Sequence, residues 1–460
     1  MTWVNVGALL TCFCIISVDA ACSKQDDFLN AKPNAALSTI STVGDLQNIL
    51  NDEALFNHYS DPELGTISSD EYYVTSSSYT SAITDDQNLY EWATQIFPAG
   101  ETISEWDGPY QQIYNANIVL DAIPNISATE SQLNPIKGEA LFKRSIAFYN
   151  LLQTFTLPFD SLTADETLGL PIRLNSNLNA KSVRSSELQC YQQIIQDLTT
   201  ALSLLPQTSI YLTRPNKVST NALLARIYLA LNNYSLAFKY ANDALAANNN
   251  LTDFNTLAYY AYGLTVSTSP YLNEDLYHTT MVTHGIAGFT KAIVDSSLYN
   301  SYDSNDLRRN VFFSLYSGGL RFKGSYEFKM FGVLYSGLAT DELYLIRAEC
   351  YARTGNVTLA MNDLNTLLLK RWKTNTFVPY TAINADDALS KILVERRKEL
   401  IFRGLRWTDL RRLNTDSRFA VTLKRLINGN TFTLPPNDPR YAMPIPDDEI
   451  QASGIQQNNR

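Results

Sequence analysis

Ala225-Arg-Ile-Tyr228-Leu-Ala-Leu-Asn-Asn233-Tyr-Ser-Leu-Ala237 can be laid on Ala348-Glu-Cys-Tyr351-Ala-Arg-Thr-Gly-Asn356-Val-Thr-Leu-Ala360, with the Ala, Tyr, Asn and Ala positions coinciding. Small alanines let paired helices approach closely. The tyrosine fills the space between neighbours, and an Asn-centred turn reverses the chain. This is the pattern of a tetratricopeptide helix–turn–helix. The copies begin 123 residues apart, so they are not a simple tandem array. A helical scaffold interrupted by long insertions fits that spacing, and a mostly α fold is expected.

The same periodicity extends outward. Leu188, Tyr191, Ile195, Leu198, Leu202 and Leu205 recur at helical steps, and Pro206 ends the run. Ile113, Asn117 and Leu120 share one helix face, and Phe142, Ile146, Tyr149 and Leu152 line another within 137–155. The insertions are 56–105 and 250–337, rich in Ser, Thr, Asn, Gly and Tyr. Loops longer than about 15 residues in a compact fold are usually functional or disordered. Their aromatic content argues against disorder.

Composition narrows the function. Apolar residues are 45% and charged residues 18% of 460, enough to bury a core. The net charge of −10, with no basic stripe, argues against nucleic acid. Cys190 and Cys350 fall inside helical patterns and read as small buried hydrophobes. No cysteine pair has metal-ligand spacing; acidic loops could bind Ca²⁺, but no twelve-residue ligand loop is present, and no metal site or cofactor is assigned. Val6 to Val18 is a 13-residue mostly apolar run followed by Ala20, Ala21 and Cys22. That order resembles a bacterial lipoprotein signal over 1–21, with Cys22 as the lipidated first residue of a mature chain over 22–460. Simple secretion is the alternative: the first Lys or Arg is Lys24, and Asp19 stands three before the cysteine, where Leu or Val is usual.

An ordered series of motifs runs along the mature chain. It starts with Asp27-Phe-Leu and Lys32-Pro-Asn, then Trp106-Asp-Gly-Pro-Tyr110-Gln-Gln-Ile113-Tyr-Asn-Ala-Asn117 and Gly138-Glu-Ala-Leu-Phe-Lys-Arg144-Ser-Ile-Ala-Phe-Tyr149. Gly169-Leu-Pro-Ile-Arg173, Leu205-Pro206, Ala222-Leu-Leu-Ala-Arg-Ile-Tyr228, Leu345-Ile-Arg-Ala-Glu349 and Glu395-Arg-Arg-Lys-Glu-Leu-Ile-Phe-Arg-Gly404-Leu-Arg-Trp407-Thr-Asp409-Leu-Arg-Arg follow. Pro444-Ile-Pro446 and Gln456-Gln-Asn458 close it. The series resembles the SusD/RagB family of outer-membrane nutrient-binding lipoproteins of Bacteroidetes. The resemblance implies one SusD-like domain over 22–460, in which tetratricopeptide pairs support a loop-rich ligand surface. It implies a lipid-anchored protein at the cell surface that captures an oligosaccharide, or in some members a peptide, for a SusC-like TonB-dependent transporter.

Sugar binding needs flat aromatic faces for the apolar side of a pyranose and polar groups for its hydroxyls. The insertions offer Tyr72, Tyr73, Tyr90 and Trp92 in the first, and Tyr302, Asp303 and Arg308 in the second. Trp92 is the foremost candidate, and these seven are the expected ligand contacts. In 395–412 six arginines mix with Glu395, Glu399, Asp409, Phe402 and Trp407, which reads as a structural ion-pair clamp. Gly404 fits a helix stop there. Trp106, Tyr110 and Asn117 also read as structural, with Asn117 a buried amide serving loop backbone. His58, His278 and His284 lack catalytic spacing, and the adjacent acids Asp85–Asp86, Asp386–Asp387 and Asp447–Asp448 read as helix starts. No enzyme is expected. The alternative to nutrient binding is a tetratricopeptide adaptor holding a peptide in its groove.

Overall fold

In both repeat copies the chain reverses on a residue with left-handed backbone: Asn232 at φ 55° and Gly355 at φ 83°. The next amide then reaches back to the tyrosine carbonyl, Asn233 N–H to Tyr228 O at 2.9 Å and Asn356 N–H to Tyr351 O at 2.8 Å. Glycine adopts this conformation freely and asparagine tolerates it, so two different residues stop the two helices in the same way.

The computed structural model describes residues 40–260, 263–265, 271–328, 330 and 332–460. The expected signal segment 1–21 and Cys22 lie outside the described residues. Helix α1 (Val43–Leu50) leads to α2 (Ser104–Ala122), α3 (Glu130–Phe155), α4 (Glu187–Leu204), α5 (Lys217–Ala230) and α6 (Tyr234–Ala247). After a long excursion come α7 (Thr340–Arg353), α8 (Val357–Leu369), α9 (Ala385–Glu399), α10 (Leu405–Leu413) and α11 (Asp447–Ser453). Each of α2 to α6 packs on the next, and α6 then packs directly on α7, which also carries α8 and α9. The repeat copies far apart in sequence are therefore stacked neighbours, and Tyr351 of the second meets Phe238 of the first edge to face at 5.0 Å.

Local signals explain the boundaries. Ser186 and Gln189 form a reciprocal cap at the start of α4, and Asn216 accepts two amides at the start of α5. The adjacent acids do open helices: Asp386 and Asp387 lie in the first turn of α9, and Asp447 and Asp448 in that of α11. On α4 the buried stripe differs from the one read off the sequence. Glu187, Cys190, Tyr191, Ile194, Asp197, Leu198 and Ala201 face inward, while Leu188, Ile195 and Leu202 are half-buried. The cause is a charge: Arg144 of α3 forks onto Asp197 at 2.8 and 2.9 Å, turning that position into the interface.

The 395–412 segment is a clamp, as read. Arg396 and Arg412 both bond Asp409, Arg412 also grips Glu349 of α7, and Arg406 holds Asp70 of the first insertion. Gly404 does not end a helix; it sits immediately before α10 at φ 73°. Cys190 and Cys350 are free and buried, and burial pushes both thiols up, to about 11 and about 12.

Candidate ligand-binding surface

The two insertions form one layer over the helices. Ser60 N–H donates to Thr280 O at 2.9 Å, and Val282 N–H donates to Asp61 O at 2.9 Å. Strand β1 (Tyr72–Tyr73) pairs antiparallel with a strand of the second insertion at Ile293–Val294, placing Tyr73 opposite Ile293. The chain then forms a hairpin, Phe313–Tyr316 against Gly319–Phe322. Its two-residue turn, Ser317 at φ 47° and Gly318 at φ 75°, has both backbones left-handed, which suits the twist of a tight hairpin. Gly319 lies against Ile293; a Cβ there would stand 3.0 Å from Ile293 Cγ1. Absence of that carbon lets the hairpin close over β1 and its partner.

An aromatic rim results. Tyr73 is 42% exposed, Tyr316 38% and Leu315 77%. The half-buried Phe289 ring packs on Tyr316 with centroids 5.3 Å apart. Beneath them Arg321 is buried, its Nη1 donating to Lys291 O at 3.0 Å and its Nε without a partner. Burial lowers the Arg321 pKa, and the phenols of Tyr73 and Tyr316 oppose that shift, so both rings stand within electrostatic reach of the guanidinium. Flat apolar faces with phenol hydroxyls at their edges suit a ligand with one apolar face and hydroxyls at its edge.

Of the seven expected contacts, only Tyr73 belongs to this rim. Tyr72, Tyr90 and Trp92 are buried instead around Arg425, whose guanidinium lies 5.6, 3.7 and 4.7 Å from their rings. Trp92 Nε1 donates to Ser68 O at 2.9 Å, Tyr72 OH donates to Ile67 O at 3.0 Å, and Tyr90 OH accepts from Val74 N–H. These three rings offer no face to solvent and serve as core. Tyr302 is likewise buried and donates to Lys398 O at 2.7 Å. Arg308 is fully buried among Asp306, Glu395 and Glu399, so it ties the second insertion to α9 rather than facing a ligand. Asp303 is exposed, but its carboxylate accepts from Asn305 N–H in a local turn. Tyr316, Phe289 and Arg321 were not among the expected contacts. The signal for Tyr316 is the alternating stretch Phe313-Ser-Leu-Tyr316-Ser-Gly-Gly-Leu-Arg-Phe322, a hairpin with its turn at Ser-Gly.

Two histidines that look scattered in sequence are each clamped by carboxylates. The His284 ring sits between Asp86 Oδ1 and Glu105 Oε1, and the His284 backbone N–H donates to Glu63. Burial lowers its pKa, but hydrogen bonds to Asp86 and Glu105 overcome that and raise it to about 11. Burial in turn raises Glu63 to about 8. His278 lies between Asp275 at 2.6 Å and Glu327 at 3.0 Å; burial opposes, yet Asp275 and Glu327 lift it to about 9. The His284 ring ties the second insertion to Asp86 and Glu105, and the His278 ring joins two stretches within the second insertion. Among the described residues no group of three or more His, Cys, Asp or Glu side chains is placed to hold a metal ion.

Known proteins share this fold. A family described as starch-binding and associating with the outer membrane matches residues 27–229, and the SusD family matches residues 340–460. The SusD-like protein P2 of Formosa agariphila is 24% identical over 421 residues, covering 77% of this chain and 79% of the relative. In fold the chain is similar to a SusD superfamily protein of Bacteroides thetaiotaomicron, with a TM-score of 0.73, 22% identity, and coverage of 91% of this chain and 100% of that one. It is also similar to surface glycan-binding protein A of Bacteroides thetaiotaomicron, with a TM-score of 0.65, 14% identity, and coverage of 91% and 99%.

Proposed function

This chain belongs to the SusD/RagB family, and from that premise we propose that it is a cell-surface lipoprotein that captures oligosaccharides and hands them, uncut, to a SusC-like TonB-dependent transporter. The supporting observation is the rim where the insertions meet: the exposed rings of Tyr73 and Tyr316, Phe289 packed on Tyr316, and the Arg321 guanidinium within electrostatic reach of both phenols. Its side chains are aromatic, aliphatic and basic. Glycoside hydrolysis needs two carboxylates flanking one bond, and the rim side chains include no such pair. On this reading the ligand is held and released. Lipidation of Cys22 would keep the rim at the outer membrane, where a barrel partner can receive what it holds.

The test is calorimetric binding of a panel of neutral oligosaccharides to the wild type, Tyr73→Ala and Tyr316→Ala. Each substitution should weaken binding by about 0.5–1.5 kcal/mol, up to about tenfold, with the unfolding midpoint unchanged. Affinity untouched by both substitutions removes the rim from the reading. Delivery is tested separately, by co-purification from membranes: a protein that never brings down an outer-membrane barrel does not deliver to one.

A further inference from the structure

A cavity elsewhere in the molecule shares no residue with the rim. It is a cleft of about 330 Å³ between α2, the loop joining the strands Leu168–Pro171 and Arg184–Ser186, and α11. That places it at the small end of ligand-site volumes.

One wall is a helix face. Asp107, Tyr110 and Tyr114 recur at three- and four-residue steps of α2, so all three point the same way. The opposite wall is a polar loop fixed from beneath. Asn117 Nδ2 donates to Arg173 O at 2.9 Å and Asn175 O at 3.2 Å, and Tyr110 OH donates to Pro171 O at 3.0 Å. Asp121 accepts both the N–H and the hydroxyl of Ser176, at 2.7 and 2.8 Å. The cleft is thus built before any ligand arrives, which lowers the ordering cost of binding.

The polar groups select a chemistry. Glu449 of α11 and Asp107 of α2 both line the cleft, and neither is ion-paired among the described residues. Burial raises the Asp107 carboxyl, and repulsion from Asp448 and Glu449 raises it further. Arg173 is the one cation lining the cleft among the described residues. A purely apolar ligand would strip water from two carboxylates without replacing their hydrogen bonds. An anionic one would meet their repulsion, and a cationic one would pair with the carboxylates but offer no acceptor to Arg173 or to the Asn177 amide. A neutral, hydroxyl-rich ring satisfies every wall: hydroxyls donate to the carboxylates and accept from Arg173 and the Asn177 amide, while its apolar side lies on the tyrosines.

The geometry points to this cleft, bounded by Asp107, Tyr110, Tyr114, Arg173, Asn177 and Glu449, as a second and independent saccharide site that takes a neutral sugar unit and rejects uronates. The site tolerates failure of the rim reading, because it stands on different residues.

The experiment is methyl NMR of the purified protein, with Ile113 and Leu178 reporting the cleft and Ile293 and Leu315 reporting the rim. The probes are glucose hexamers with α-1,4, β-1,3 and β-1,4 linkages, and a galacturonate hexamer, added at millimolar concentration. The cleft methyls should shift with at least one glucose hexamer and not with galacturonate. That titration should persist in Tyr316→Ala and weaken about tenfold in Tyr114→Ala, while Asp107→Asn with Glu449→Gln should let galacturonate in. Cleft methyls silent to every glucose hexamer, or cleft shifts that vanish in Tyr316→Ala, overturn the proposal. Rim methyls silent while the cleft responds count against the rim alone.

Discussion

Trp92→Ala separates a core residue from a ligand contact. The ring is 3% exposed, donates to Ser68 O at 2.9 Å, and lies 4.7 Å from the Arg425 guanidinium. Truncating a buried aromatic to alanine costs about 3–5 kcal/mol through lost transfer energy and a residual cavity. The Ser68 carbonyl would lose its donor, which for a buried acceptor costs about 1–3 kcal/mol. Loss of the cation–π contact adds about 0.5–2 kcal/mol. These contributions share atoms and do not add fully, so a total of about 4–6 kcal/mol is expected. Trp92→Phe should keep most of the packing and lose about 1–2 kcal/mol, chiefly the hydrogen bond. Denaturant unfolding gives the stability, and calorimetry at low temperature gives the affinity of the folded fraction for oligosaccharide. A loss of stability below about 1 kcal/mol together with a tenfold fall in affinity would refute the reasoning and return Trp92 to the ligand surface.

Arg308→Ala should cost about 3–5 kcal/mol, because it leaves Asp306, Glu395 and Glu399 buried with less compensation; a thermal melt shifted only slightly would show the charges regaining water. Raised pKa values make the fold weaker in alkali. His284, at about 11 when folded against an ordinary 6.5, contributes fully below pH 6.5 and loses that contribution as pH rises toward 11; His278, at about 9, behaves alike. Glu63, held near 8, adds the same sign between pH 4.5 and 8, so the unfolding midpoint should fall from pH 6.5 to 9, and His284→Gln should flatten that slope. Cys22→Ser should release the protein from membranes; fractionation that leaves the variant in the membrane pellet would exclude the anchor.

The helical scaffold was legible because its signals are local. Alanine spacing, caps and the Asn-centred turn act within a few residues, and α5 to α8 follow from them. Where a distant charge intervenes, the reading slips: nothing near Asp197 announces that Arg144 will turn it inward. The same limit governs the ligand surface. Tyr90 and Trp92 lie in a polar stretch and look exposed, yet Arg425, more than three hundred residues away in sequence, fills the space between them and satisfies the Ile67 and Ser69 carbonyls. Tyr302 and Arg308 were misread for a similar reason, since their partners come from α9. Tyr73 alternates with Tyr72 on a strand, so one ring had to face inward while the other faced out. Which ring did so depended on the pairing with Ile293.

The direct seating of α6 on α7 means that everything between them leaves and re-enters the scaffold at one seam. Such an excursion can change in length and sequence without disturbing the stacking of α6 on α7. Change is not unrestricted, because the excursion carries its own fasteners: Glu274 grips Arg371, and Arg308 grips Glu395 and Glu399. A transplanted excursion keeps the frame intact only if it brings a carboxylate and a guanidinium to those same two points.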